Sequence, residues 1–278
     1  MKKVIVNADD FGASTFINQG IWEAQRAGVL KSASLLANGE ALQDALDKRE
    51  KMSLGIHLAL VFGKPLAPPE KVDTLIFKAG AFAQGYQEFL PRYLTGGVKL
   101  PQIEYEFQAQ RQALSSVEID HLDCHQHLHL LPGIFEIVCR LAEKWKCRFI
   151  RIPYENFEIG VRGNDLLPSN MLNLLAWGKK SSLTRKALNT TDHFFGSSFT
   201  GALTMEVWRK LLPLIPPGIT EIMCHPGYDD ARFRQVYRWK SRWEEELQAL
   251  TNPELLQLAE EHEVKFTNFR ELKSMALI

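Results

Sequence analysis

The chain has 278 residues, with 33 basic and 33 acidic side chains, 45% hydrophobic and 24% charged, an ordinary make-up for a globular protein. Formal net charge is zero and no basic stripe is present, so a nucleic-acid partner has little support. No apolar run is long enough to span a bilayer, and Asp9 and Asp10 interrupt any secretory h-region behind Met1-Lys2-Lys3, so no transmembrane segment and a cytoplasmic location are expected.

Strand-like and helix-like segments alternate along the chain. Lys3 to Val6 reads as a short buried strand. Ser14 can cap a helix whose Ile17, Ile21 and Ala24 share a face, with Gly28 as its stop. Ser32 to Ala37 reads as a strand, Glu40 to Lys48 as a helix, and Ser53 to Leu60 as a strand. Residues 61–116 break the rhythm with Lys64-Pro65, Pro68-Pro69, a hairpin signal at Lys78-Ala79-Gly80 and a helix from about Gln102 to Leu114. Asp120 to Asp123 begins another strand. A helix opened by Pro132 then runs to about Lys146, and Arg148 to Ile152 is strand-like. A second excursion covers residues 154–200. Beyond it, Thr204 can cap a helix to about Leu212 and Glu221 to Cys224 is a strand. Helices follow at Ser241–Leu250 and Pro253–His262, the second capped by Asn252, and Val264 to Phe269 is the last strand. Repeated βα units predict an α/β fold with a parallel sheet curled into an incomplete or distorted barrel, one domain over 1–278 with two insertions. Insertions of this kind shape pockets or build oligomer contacts, and the first suggests a homodimer.

The chemistry-bearing residues cluster at strand ends. Asp9 and Asp10 follow the first strand, where α/β sheets and barrels place their active sites. Two adjacent carboxylates repel, so one is protonated or a cation is recruited. Six of the eight histidines fall in three segments, each at or near a strand's C-terminal end: His57; His121, His125, His127 and His129; and His225. The spacing of Asp123, His125, His127 and His129 is two. An extended backbone would turn all four to one side, whereas a helix would leave only His125 and His129 together. Alone, His57 would read as a hydrogen-bonded structural residue, Asp9-Asp10 as a turn and His225-Pro226-Gly227 as a strand ending. Together they read as a metal centre. Cys124, Cys139, Cys147 and Cys224 form no C-x-x-C pair and read as buried small side chains, with a Cys nucleophile as the sharper alternative. Asn189-Thr190-Thr191 matches a glycosylation sequon that a cytoplasmic location would leave unused.

At these motifs the chain resembles the YdjC family of carbohydrate deacetylases, including its chitooligosaccharide and hopanoid-associated branches. The matching segments are Val6-Asn7-Ala8-Asp9-Asp10-Phe11-Gly12, Gly55-Ile56-His57-Leu58, His121 through His129 and Met223-Cys224-His225-Pro226. Residues 63–69 and the insert behind them look closer to the hopanoid-associated branch. The resemblance implies a distorted (β/α) barrel related to the polysaccharide deacetylases. It also implies one divalent metal ion held by Asp10, His57 and His125; by their chemistry one Asp and two His suit zinc, cobalt, nickel or manganese, and magnesium with more waters. Asp9 would then be the general base, His225 the general acid, and Arg151 the residue that orients Asp9. The related polysaccharide deacetylases take both ligand histidines from one His-x-x-x-His, here His125 and His129, so His57 and His129 stand as alternatives for the third ligand.

The implied reaction is removal of an N-acetyl group from an amino sugar, on an oligosaccharide or a glycolipid head group, by metal-activated water. Tyr154, Phe194, Phe195, Phe199, Tyr228 and Phe233 are candidates for stacking on the sugar, one or two of them lining the pocket and the rest packing the core. Hydrolysis of another amide or a phosphoester, or metal and carbohydrate binding without turnover, are the competing readings.

Overall fold

Val4-Ile5-Val6 lies in a strand longer than the sequence predicts. β1 (Lys2–Phe11) continues through both aspartates. The computed structural model describes residues 1–49, 51–155, 166–237, 239 and 241–275, so part of the expected excursion at 154–200 lies outside the described residues. α1 (Thr15–Arg26) starts as expected, with the Ser14 hydroxyl accepting from the Ile17 N–H and Ile17, Ile21 and Ala24 buried. β2 (Ser32–Leu35), α2 (Leu42–Asp47) and β3 (Ser53–Leu58) follow.

The first insertion holds α3 (Tyr86–Leu94) and α4 (Leu100–Ala113). The sequence did not suggest α3, whose interior Pro91 argues against a helix. Residues 77–81 form a tight turn, with Phe77 N–H bonded to Ala81 O, and no strand flanks it. The insertion is tied down by α4. Gln110 pairs with both backbone groups of Ala59, and the buried Glu106 carboxylate accepts from Leu66 and Ala67.

β4 (His121–Cys124), α5 (Ile134–Lys144) and β5 (Phe149–Ile150) come next; α5 begins two residues after Pro132, behind Gly133. α6 (Leu166–Ala176) and α7 (Lys179–Arg185) precede β6 (His193–Phe195), a strand too short for its periodicity to show in the sequence. α8 (Met205–Leu211), β7 (Gly218–Cys224), α9 (Ala231–Tyr237), α10 (Trp243–Thr251), α11 (Pro253–Glu261), β8 (Val264–Thr267) and α12 (Phe269–Met275) complete the chain. Asn252 caps α11 as expected, accepting from the Glu254 N–H.

Among the described residues all strand pairs are parallel, in the order β5-β4-β3-β2-β1-β7-β6, with β8 beside the first half of β1. The chain at 189–195 spans the remaining gap. Asn189 bridges to Phe149 at one end and β6 pairs with β7 at the other. The result is the expected distorted barrel.

Alternate strand residues fill its interior in layers. Ile5, Phe149, Phe269 and Leu272 form a small apolar floor separate from the main core. Above it lies a polar layer containing Asn7, Ser34, His121, Asp123 and Glu221, all fully buried or nearly so. Small residues make room for it: a Cβ on Gly55 would stand 2.3 Å from His121 Nε2, in a ring already stacked on Phe269 at 4.1 Å.

Candidate metal centre and catalytic cavity

A β-bulge puts two neighbouring aspartates to different uses. Between Ala8 and Phe11 the register of β1 against β2 shifts, and Asp10 adopts φ 64°, a left-handed conformation that Asp tolerates better than most residues. Asp9 faces Arg151, whose Nη1 and Nη2 donate to its two oxygens at 2.6 and 2.7 Å; Asn7 adds a third hydrogen bond at 2.9 Å. Asp10 turns instead toward two histidines. Its Oδ1 stands 3.1 Å from His125 Nδ1 and 3.4 Å from His57 Nε2, and the two imidazole nitrogens are 3.3 Å apart.

This triangle has the dimensions of a cation site. Ligand bonds of about 2.0–2.1 Å in tetrahedral geometry place donor atoms about 3.3 Å apart. Asp10 Oδ1 is buried and has no hydrogen-bond partner among the described residues, and there a carboxylate oxygen and two ring nitrogens converge. The surrounding charge fits a dication as well. Asp9 and Asp123 pair with the single guanidinium of Arg151, whose Nε also reaches Glu221 at 2.8 Å, and Asp10 faces the two imidazoles. Burial pushes Glu221 up to about 7, against the pull of Arg151. Burial works against a charged His57, but the carboxylates of Asp123 and Asp9 outweigh it and raise that imidazole to about 10. A proton there partly replaces the charge a cation would bring. Burial opposes ionisation of Asp10 too, yet His125 and His57 hold it well below the usual carboxylate range.

Register explains how His57 is aimed. It lies opposite Asp123 in the β3–β4 ladder, and Asp123 Oδ1 accepts from its Nδ1 at 2.7 Å, which turns Nε2 toward Asp10. Asp123 Oδ2 accepts from the Ser34 hydroxyl at 2.6 Å and lies 2.9 Å from Arg151 Nη2. Asp123 therefore joins the cation triangle to the Arg151–Asp9 pair. In the sequence, Asp123 stands in the histidine run with nothing to mark this task beyond its spacing two residues before His125. Asn7 stands in the matching segment around Asp9-Asp10, whereas Ser34 and Glu221 carry no such signal.

The histidine run follows neither the all-extended nor the helical geometry. Asp123 and His125 both reach His57, as extended alternation requires, but Gln126 and His127 then take φ 52° and 55° and reverse the chain. His125 and His129 consequently share no helix face. His129 Nε2 donates to the Arg151 carbonyl at 2.8 Å, behind the cavity rather than in the triangle, and burial lowers its pKa to about 4. Burial also holds His121 down to about 3, hydrogen-bonded to Ser34.

Asp9, Asp10, His57, His125 and His225 line one cavity of about 410 Å³. His225 follows β7, and its backbone N–H donates to the buried Glu246 carboxylate at 2.5 Å, while its Nδ1 has no hydrogen-bond partner among the described residues. The sequence predicts one or two of the six candidate aromatics on this cavity, and none lines it; it presents Tyr86 and Trp239 instead. Phe194, Phe195, Phe199 and Phe233 are buried, Tyr228 bonds to Glu23, and Tyr154 lines a separate cleft. The chain after β7 folds back so that Trp239 stacks against His125 at 5.1 Å. All four cysteines are buried and unpaired, and burial pushes each thiol up, away from nucleophile chemistry.

Comparison with known proteins decides the lineage. Residues 3–261 match the family described as YdjC-like protein. The chain belongs to the YdjC-like family. A carbohydrate deacetylase of Thermoanaerobacter pseudethanolicus is 29% identical over 98% of this chain and 100% of its own length. A carbohydrate deacetylase of Geobacillus stearothermophilus is 31% identical over 96% of both chains, and the human carbohydrate deacetylase is 32% identical over 81% of this chain and 75% of its own. Among solved structures, an Enterococcus faecalis protein described as a cellobiose-phosphate cleavage protein superposes with a TM-score of 0.77 at 26% identity, covering 98% of each chain. The enzyme class expected of this YdjC-like chain is the one its curated relatives carry. No helix among the described residues is long and apolar enough to cross a membrane.

Proposed function

We propose that this protein removes the N-acetyl group of an amino sugar, with one divalent cation held by Asp10, His57 and His125. The observation that carries this reading is the division of labour at the bulge: one aspartate points into a buried three-atom triangle and its neighbour is clamped by Arg151. A cation held there would polarise the acetamide carbonyl and lower the pKa of water, to about 7 in favourable zinc sites. Asp9, beside the triangle, accepts the proton of the attacking water. Its bidentate bond to Arg151 fixes the direction of both oxygens, so little reorganisation is needed during proton transfer. His225 lies on the same cavity and delivers a proton to the departing nitrogen, without which the amine would not leave. Each such acid or base contributes about 10²- to 10⁴-fold.

The same cavity is also lined by Leu90, Leu128, Leu131, Leu172 and Leu175, an apolar surface. A free chitooligosaccharide has little to offer such a surface. This lining supports an amino sugar carrying an apolar aglycone, a glycolipid head group, as the preferred substrate.

The test is acetate release by metal-stripped protein reloaded with zinc or magnesium, from diacetylchitobiose and from an N-acetylglucosaminyl lipid. Release that requires metal and is faster on the lipid is expected. No acetate from either substrate with any divalent metal would defeat the proposal.

A further inference from the structure

α6 is apolar on two sides. Leu172 and Leu175 line the catalytic cavity, whereas Leu174 and, just past the helix end, Trp177 stand 75% and 76% exposed. Met171 lies between these two sets: it lines the cavity and is 49% exposed. A helix on the surface of a globular protein normally turns a polar face outward. Trp177 also shares a shallow cleft with Tyr154, 45% exposed, and with Lys180.

The chain that follows is one-sided in charge. From residue 166 to 191 it carries Lys179, Lys180, Arg185 and Lys186 and no acidic residue, in a protein of net charge zero. Lys180 approaches Asp192 at 3.9 Å and Lys179 lies over the Phe135 ring. Arg185 and Lys186 are exposed and form no ion pair among the described residues.

We propose that α6 and α7 seat the protein on an anionic phospholipid surface. Leu174 and Trp177 enter the headgroup region and Arg185 and Lys186 meet the lipid phosphates, with the cavity mouth beside the bilayer. Protruding Trp and Leu next to Lys and Arg is the combination that holds proteins in a membrane interface. A protein partner is disfavoured by size. Met171, Leu174 and Trp177 together expose roughly 400 Å², about half of what a specific protein interface takes from each partner. The proposal does not depend on the chemistry at the cation triangle.

The test is co-sedimentation of the full chain with phosphatidylcholine vesicles, with and without phosphatidylglycerol. Binding to the mixed vesicles alone, weakening as salt is raised, is expected. R185E/K186E should weaken partition at least about tenfold, since each basic residue near an anionic surface contributes about fivefold, and L174E/W177E should abolish it. Unchanged melting temperatures show that both variants fold. Wild-type protein that stays in the supernatant with mixed vesicles, or partition indifferent to both variants, overturns the proposal. So does light scattering that shows a dimer which L174E/W177E converts to monomer, because the ridge would then join two copies of this chain.

Discussion

Asp123→Asn tests how the cation triangle is held. Asp123 accepts from His57 Nδ1 at 2.7 Å and from Ser34 at 2.6 Å, and it stands 2.9 Å from Arg151 Nη2. An asparagine brings one carbonyl and one amide N–H₂ to a place where every neighbour donates. If the N–H₂ faces Arg151 and Ser34, donor meets donor twice inside a buried layer. If it faces His57, the imidazole must move its proton to Nε2, and the lone pair directed at Asp10 and His125 is lost. Either outcome should weaken metal binding by about 10- to 100-fold, or about 1.4 to 2.8 kcal/mol. The assay is competition for zinc against a chelating indicator, with the melting temperature of the metal-free protein as the control for folding. If Asp123→Asn keeps zinc affinity within about twofold of wild type while His57→Ala loses it, Asp123 does not orient the ligand and the register argument fails.

Asp9→Asn should keep stoichiometric metal yet lose turnover by about 10²-fold or more; loss of metal, with residual rate restored by excess ion, would exchange the roles of Asp9 and Asp10. His225→Ala should lower kcat by a similar factor with metal content unchanged, and near-wild-type turnover would remove it from the mechanism. Gly55→Ala drives a methyl to 2.3 Å from the His121 ring, which Phe269 backs, and should cost about 1–3 kcal/mol in urea unfolding; an unchanged midpoint would show that the barrel floor yields. Glu221 titrates near 7 when folded and near 4.5 when unfolded, so between these values the folded chain binds more protons and this group makes stability fall as pH rises. Metal-free Glu221→Gln should therefore gain on wild type by up to roughly 3 kcal/mol between about pH 5 and pH 8, and parallel stability profiles would refute the assignment.

The sequence by itself determined the alternation of strands and helices, the parallel sheet, and the strand ends where Asp9-Asp10, His57, His125 and His225 stand. Those follow from local signals: apolar runs, caps at Ser14 and Asn252, and polar residues at strand ends. Its resemblance to the YdjC family supplied the roles. Tertiary structure decided which of these residues meet. A bulge, read only from the β1–β2 register, separates the tasks of two adjacent aspartates. Two left-handed residues within the His125–His129 run send its ends to different neighbours, and β3–β4 pairing makes Asp123 the partner of His57. The cavity aromatics, Tyr86 and Trp239, arrive on segments whose return path no local pattern announces. Spacing along a chain reports direction only while the backbone is regular. Where it bulges or reverses, as it does at this site, long-range pairing sets where each side chain points.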